Sequence, residues 1–511
     1  MRYILGIDVG TTGTRAVLVD QSGAVVKGAT TDHLPISILQ PQWAEQEPED
    51  WWQATVSSVR KVLSQSGVSA ADIAGIGLSG QMHGVVLLDK DYNVLRPSII
   101  WCDQRSQAQA DWFTDRIGKQ RLIEITCNPA LTGFSVPKFL WVRDNQPEIY
   151  SQMRKLLLPK DYIRFRLTSE FATEVSDAAG TLLLDVPERR WSSEILNALE
   201  LDEDLLPRVY ESPEITGRIT RAAAEATGLK EGTPVVGGGG DQAAGAVGNG
   251  VVAPGIISST IGTSGVVFAF TERPSLDPKG RVHTFCHAVP GKWHVMGVTQ
   301  GAGLSLRWFR DNFGGQEIQI GQFTGSDPYE LLAAEAAQAQ AGCEGLIFLP
   351  YLMGERTPHL DPNARGVLFG LTARHNRSHV IRAILEGVAY SLRDTLEIFK
   401  EMDVPVEQVR ASGGGGRSGL WRQIQADVFN TEIVTINATE GSAYGAALLA
   451  AVGTGIFSTV EEACSQTIKV VDRCRPDAKA AKVYEEHYQV YRSLYGALKP
   501  QFDRVTELAN R

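Results

Sequence analysis

Two loops in this 511-residue chain are near copies of one another, and that recurrence constrains the fold more than any other feature. Val9-Gly10-Thr11-Thr12-Gly13 near the start matches Ile261-Gly262-Thr263-Ser264-Gly265 near the middle. In each, an apolar run enters Gly-Thr-(Thr/Ser)-Gly and a second apolar run leaves it. At the start, Tyr3 to Val9, Arg15 to Val19 and Ala24 to Lys27 read as a β-meander, with glycines where a turn needs positive φ. Two copies about 250 residues apart predict a duplicated domain, against the alternative that a four-residue motif recurs by chance. The length independently calls for at least two domains. The predicted boundary lies in the glycine-rich stretch 245–255, giving domains 1–246 and 247–511.

The rest of the chain reads as alternating elements. Pro48 opens a helix expected over Glu47 to Leu63. Ile73 to Leu78 is a predicted strand, and Val85 to Asp89 is expected to continue the same sheet. Asp327 to Gln340 reads as a surface helix, Ser378 to Met402 as a long amphipathic one. Val409 to Ser412 is a strand that runs through GGGG into a helix over Leu420 to Phe429. Gly441 to Val452 is a helix of small residues suited to close packing, and Ala478 to Ala509 closes the chain as a helix. Gln242 to Thr271 carries no charge, but Pro254 and many Gly, Ser and Thr break it into buried strands and turns rather than a membrane span.

A net charge of -10 disfavours nucleic acid and anionic membranes as partners. It also means that any phosphate ligand needs local backbone donors and a metal ion. Six scattered cysteines without a CxxC pair fit a reducing cytoplasm, and no secretory signal is read at the N-terminus.

The chemistry concentrates at strand ends. In DVGTTGTR, the glycine turn can aim backbone N–H groups at an anion, Thr11, Thr12 and Thr14 add hydroxyls, and Arg15 adds a charge. Asp8 is anionic and suits a metal ion or its waters rather than phosphate itself. A plain hairpin turn is the structural alternative. In VVGGGGDQAAGA, four glycines lead to Asp241 with no Lys or Arg in the stretch. Asp241 is therefore a candidate proton acceptor for an alcohol under phosphorylation, or the N-cap of the helix that follows, or both. SGQMHG places His83 at a strand end, where it can donate to a sugar hydroxyl or carbonyl, or simply pack. Trp101, Asp103 and their neighbours form a similar polar cluster. SGGGGRSG reads as a backbone nucleotide site or a tight connection. His283, His287 and His294 invite a metal reading, but strand-like flanks favour packing. Gly354 to Pro362, GERTPHLDP, reads as an exposed loop near the cleft.

The order DVGTTGTR, GQMHG, GGGGDQAAGA, GTSG, GGGGRS resembles the FGGY carbohydrate kinases. GFSVPKFLWVRDN at Gly133 to Asn145 and GVLFGLTARHNRSHVIRAILEG at Gly366 to Gly387 are similar to that family's longer signatures. The resemblance covers essentially the whole chain. Met82-His83, WCDQR at 101–105, PKDYIRFRLT at 159–168 and SDAAGT at 176–181 resemble its xylulokinase branch, whereas glycerol-phosphorylating members carry Arg-Glu where Met82 and His83 stand. The resemblance implies an α/β fold of two duplicated actin-like, RNase-H-like domains with an ATP and sugar cleft between them. It implies transfer of phosphate from ATP, with Mg²⁺, to D-xylulose, with Asp241 as base. It implies Asp8 near the metal through a bound water, and Gly10, Thr11, Thr12, Gly13, Arg15, Gly262 and Thr263 at the phosphates. Gly414, Gly415 and Ser418 fall on the adenosine side; Met82, His83, Trp101, Asp103, Asp241 and Gln242 fall on the sugar side. Ser418 and Gln242 stand where the family often has Asn. A homodimer is a candidate assembly. Two rival functions remain open: a kinase for ribulose, another ketose or a sugar acid, and a non-catalytic ATP-binding module of the actin and chaperone kind.

Overall fold

The computed structural model describes residues 2–509. Its first sheet begins with the expected meander: β1 (Tyr3–Val9), β2 (Gly13–Asp20) and β3 (Val25–Asp32), paired antiparallel. Helix α1 (Pro48–Ser66) carries Pro at its first turn and buries Trp51, Val59 and Val62 against the sheet. It crosses over to β4 (Ile73–Gly80), which lies parallel to β1. The chain returns to this sheet only after residue 210, as β5 (Ile215–Arg218), β6 (Pro234–Val236) and the two-residue β7 (Gly239–Gly240). Strand order is β5-β6-β4-β1-β2-β3, with β7 also paired to β4. Val86–Leu88 does not continue this sheet: it pairs with Lys155–Leu157 in a separate ribbon, because the end of β4 is already occupied by β7.

After α2 (Asp241–Gly248) the plan repeats. β8 (Gly255–Ile261), β9 (Gly265–Thr271), β10 (His283–Cys286) and β11 (Trp293–Thr299) form an antiparallel set. Helices α3 (Pro328–Ala336) and α4 (Arg377–Glu401) follow, then β12 (Val406–Ser412), parallel to β8. The GGGG run is not a loop but a short helix, α5 (Gly413–Arg417), before α6 (Gly419–Phe429). β13 (Glu432–Ile436), α7 (Gly441–Gly453), β14 (Val470–Cys474) and α8 (Ala478–Ala509) complete the chain. The second sheet runs β10-β11-β9-β8-β12-β13-β14. Position by position, β8, β9, β11, β12, β13 and β14 repeat β1, β2, β3, β4, β6 and β5 with the same parallel and antiparallel sense. The duplication read from two short loops is thus present in the whole topology.

Helix α7 joins the halves. Its small residues face Gly6 on β1 and Gly77 on β4, which are register partners. Any Cβ on Gly6 would collide with the Ala443 carbonyl, and one on Gly77 with the Ala446 carbonyl. The sheet glycines and helix alanines therefore allow near backbone-to-backbone packing. The same helix packs on α2, where Gly445 meets Ala244.

Candidate active site

The floor of the site is built from three adjacent strands. Asp8 on β1 and Gly239 on β7 are both in register with Ser79 on the intervening β4. Neighbouring strands lie about 4.8 Å apart, so Asp241, two residues beyond Gly239, emerges close to the strand end that carries Asp8. Gly240, not Asp241, is the N-cap of α2, and Asp241 is the first residue of that helix. The capping alternative is therefore removed, and the carboxyl is left for other work. Burial pushes its pKa up to about 7, the Asp8 charge pushes the same way, and bonding from Gln242 opposes both. The strand turn beneath it is held by Ser176 Oγ, which accepts from the Gly240 N–H at 3.1 Å, and by Ser442 Oγ, which donates to the Asp241 carbonyl at 2.9 Å. Behind Ser176 lies a fully buried ionic group of Lys160, Asp161, Glu174 and Asp177. Lys160 and Asp161 fall in the PKDY stretch and Asp177 in SDAAGT, with Glu174 two residues before the latter.

Burial also raises Asp8, to about 6, against the Ser79 hydroxyl and the Arg15 charge. Its Oδ1 is buried and has no hydrogen-bond partner. Among the described residues no three His, Cys, Asp or Glu side chains converge as a metal cage. An orphaned carboxylate oxygen with no cage fits Mg²⁺ held by one carboxylate, waters and substrate phosphates.

The two matching loops present their tips to solvent: Thr12, Gly262 and Thr263 are exposed. In the first, Gly10 N–H donates to the Gly13 carbonyl at 3.1 Å, and Gln46 donates to the Thr11 carbonyl at 2.7 Å. Arg15 differs from the sequence reading. Its guanidinium forms an ion pair with Glu440 at the start of α7 and donates to Thr30 at 2.8 Å, so its charge is already engaged. Gly262 and Thr263 join Gly414, Gly415 and Ser418 around a cavity of about 810 Å³ with Tyr329 and Leu385 as apolar wall. Ser418 Oγ accepts from the Trp421 N–H as the cap of α6. A second cavity of about 490 Å³ is lined by Asp241, Gln242, Thr260 and Ser412. Arg417 lines both, so the two spaces adjoin along a path from the glycine helix α5 to Asp241.

On the other side, Met82 is buried against Gly180 and Gly240. His83 has φ of 70°, a left-handed conformation that is costly for a side chain of this size. Its Nδ1 lies 2.7 Å from the Gly180 carbonyl. Burial, then the Lys138 charge, pushes its pKa down to about 3, so the ring is neutral. A neutral ring that donates from Nδ1 has a lone pair on Nε2. His83 can thus accept from a sugar hydroxyl; the expected donation to a sugar hydroxyl or carbonyl is corrected. Trp101 is exposed and donates from Nε1 to Thr11 Oγ1 at 2.9 Å, linking this wall to the first loop. Asp103 is fully buried, with its oxygens taken by Arg105 and the Ala44 N–H, so it braces the wall instead of meeting the sugar.

The three histidines sit on or beside β10 and β11 and are buried by packing: His294 stacks on Phe268, and His283 bonds Asn128. The loop 354–362 is not the exposed segment expected, since Glu355, Thr357 and Asp361 are buried. Sequence reasoning placed Gln81 at a strand end without giving it a role, and passed over Ser79, Gln46 and Lys138. Only the regular alternation around Ser79 could have pointed to one of them.

Family models for the FGGY family of carbohydrate kinases match the chain over residues 3–248 for the N-terminal domain and 257–454 for the C-terminal domain. A xylulose kinase of Bacillus subtilis is 41% identical over 495 residues, covering 97% of each chain. A gluconokinase of the same organism is 33% identical over 507 residues, covering 99% of this chain and 98% of that one. The solved structure of a ligand-bound xylulose kinase from Lactobacillus acidophilus superposes with a TM-score of 0.90 at 28% identity, covering 99% of this chain and all of the other. No helix among the described residues is long and apolar enough to cross a membrane. Matched by the models of both domains over most of its length, and built from two duplicated sheets, the chain belongs to the FGGY family of carbohydrate kinases.

Proposed function

We propose that the protein transfers the γ-phosphoryl group of ATP to the 5-hydroxyl of D-xylulose, with Asp241 as general base. The observation that carries this reading is the Asp241 carboxyl, which lines the second cavity, has no ion pair among the described residues and has a pKa pushed up to about 7. A base poised near the working pH can take the hydroxyl proton as the oxygen attacks phosphorus. The similarity to xylulose kinases over nearly the whole chain supports xylulose as acceptor. Gly10 to Gly13 and Gly262 to Thr263 would place backbone N–H groups at the phosphates. Gly414, Gly415 and Ser418 would line the adenosine, and Met82, His83, Trp101 and Gln242 the sugar. Arg15 would reach phosphate only after release from Glu440. The lobes divide near residue 246, and the protein works in the cytoplasm, where ATP is abundant.

Asp8, with its unpartnered oxygen, would hold Mg²⁺ through a bound water. The ion, when bound with ATP, offsets charge on the phosphates. Asp8→Asn is expected to lower turnover about 10- to 100-fold and to raise the Mg²⁺ concentration needed for half-maximal activity. A magnesium titration superimposable on that of the wild type would remove Asp8 from the metal region.

The substrate is tested by ADP release across a panel of D-xylulose, D-ribulose, L-ribulose, D-gluconate and glycerol. D-Xylulose is expected to give the highest kcat/KM. A preference for D-gluconate would favour the sugar-acid reading, which the 33%-identical gluconokinase keeps in view. ATP hydrolysis indifferent to every sugar would instead indicate an ATP-binding module.

A further inference from the structure

The loop 354–362 belongs to the second half of the chain, yet one of its side chains reaches the sugar wall of the first. Glu355 is 4% exposed and fastened inward. It accepts from Thr299 Oγ1 at 2.6 Å, from the Gln300 N–H at 2.8 Å and from the Arg356 N–H at 2.8 Å. Thr357 is fully buried; its N–H donates to the Val298 carbonyl at 3.0 Å and its hydroxyl to the Arg281 carbonyl at 2.8 Å. The residue between two inward-facing, anchored neighbours must project the other way. Arg356 does so, and it remains partly accessible.

Its guanidinium lies against Gly133, across the boundary between the halves. A Cβ built on Gly133 would stand 3.4 Å from Arg356 Nη2 and 3.3 Å from the carbonyl oxygen of Trp101. The guanidinium thus lies in contact distance of the point where a side chain at Gly133 would begin. Among the described residues no hydrogen bond or ion pair occupies it. Several nearby acceptors are already engaged: the Gly133, Phe134 and His83 carbonyls receive Lys138, and Asp103 receives Arg105. Burial holds Arg356 below the usual guanidinium range, opposed by the Glu355 charge. A partly desolvated guanidinium with idle donors, held rigidly at a cleft wall, is poorly explained by fold stability, since it sacrifices hydration without a compensating partner.

We propose that Arg356 is a cross-cleft substrate ligand that donates to the oxygens at the C1–C2 carbonyl end of the sugar. The inference rests on the ketose-kinase reading above. Arg356 lies at Gly133, whose chain neighbour Phe134 packs edge-on to the His83 ring with centroids 4.8 Å apart, and its charge acts on His83, His283 and Lys138. It therefore belongs at the His83 end of the sugar, with Asp241 serving the hydroxyl that is phosphorylated. There it complements His83: Nε2 of the neutral ring accepts from a hydroxyl, while the guanidinium donates to an oxygen that can only accept. An α-hydroxyketone presents that pair. Because His83 and Arg356 come from different halves of the chain, a sugar held by both spans the cleft.

The test uses the full-length enzyme with MgATP, the variants Arg356→Gln and Arg356→Lys, and two probes, D-xylulose and xylitol, which lacks the carbonyl. Arg356→Gln is expected to raise KM for D-xylulose about tenfold or more while KM for ATP moves less than about threefold. The preference for D-xylulose over xylitol should shrink by a similar factor, and Arg356→Lys should restore part of it. An unchanged preference with unchanged KM overturns the proposal. So does a loss in which sugar KM, ATP KM and melting temperature worsen together while the preference stays constant, since that marks a purely structural loop residue. Should the wild type prefer another sugar, the xylulose reading falls. Arg356 is then judged on that sugar and its carbonyl-reduced analogue: a selective KM rise supports it, and none overturns it.

Discussion

Asp241→Asn is expected to lower kcat about 10²- to 10⁴-fold, the range of a lost general base, while ATP still binds. The substitution is nearly isosteric, Gly240 and not Asp241 occupies the N-cap, and the Asn carbonyl oxygen can still accept from Gln242. Stability should not fall, and the sign can be worked out. Folding raises this carboxyl from its ordinary 3.8 to about 7. Between those values the folded state holds a proton that the unfolded state has released, so the group's favourable contribution is complete below pH 3.8 and is lost as pH rises toward 7. Above pH 7 the buried carboxylate destabilises the fold, and Asn removes that burden. The variant should melt at the same temperature as the wild type or higher. The same shift predicts that wild-type kcat/KM falls as pH drops below about 7, as the base becomes protonated. Thermal melts, ATP titration and steady-state rates on one preparation check all of this. More than a tenth of wild-type turnover in Asp241→Asn would dismiss Asp241 as the base.

Gly77→Ala is expected to cost about 3–5 kcal/mol, a large value for one methyl group. The added Cβ would overlap the backbone carbonyl of Ala446 on α7, and Gly6 beside it faces the Ala443 carbonyl just as closely. Neither partner is a side chain that can rotate away, so the helix must move. It cannot move freely, since Gly445 and Gly248 hold it equally close to α2. The helix also carries Ser442, which bonds the Asp241 carbonyl, and follows Glu440, which pairs with Arg15. A shift of α7 should therefore impair catalysis in whatever folded protein remains. Denaturant unfolding and soluble yield measure the effect. A variant within about 1 kcal/mol of wild type would show that α7 is more loosely packed than these contacts require.

What could be read in advance was local. A strand, a glycine turn and a second strand are adjacent in sequence, so both copies of Gly-Thr-(Thr/Ser)-Gly were legible, and with them the duplication. Asp241 announced itself through the glycines before it. What could not be read depends on partners hundreds of residues away. Nothing in the sequence near Gly441 says that α7, late in the chain, covers β1 and β4. Arg15 reads as a free cation until Glu440 arrives beside it. Asp103 reads as a strand-end ligand until burial consumes its oxygens on Arg105 and Ala44. The role of His83 reversed because a single carbonyl, that of Gly180, selects its tautomer. Val86–Leu88 was misplaced because the strand that displaces it, β7, is two glycines long and has no apolar pattern to reveal it.

Product analysis tests the central claim most directly. The purified protein is incubated with MgATP, with and without D-xylulose, and followed by phosphorus NMR alongside ADP release. The account predicts one ADP per phosphate ester, an ester resonance split by the two C5 protons, and little ADP without sugar. ADP released at the same rate in the sugar's absence, or consumption of ATP with no ester formed, would contradict it.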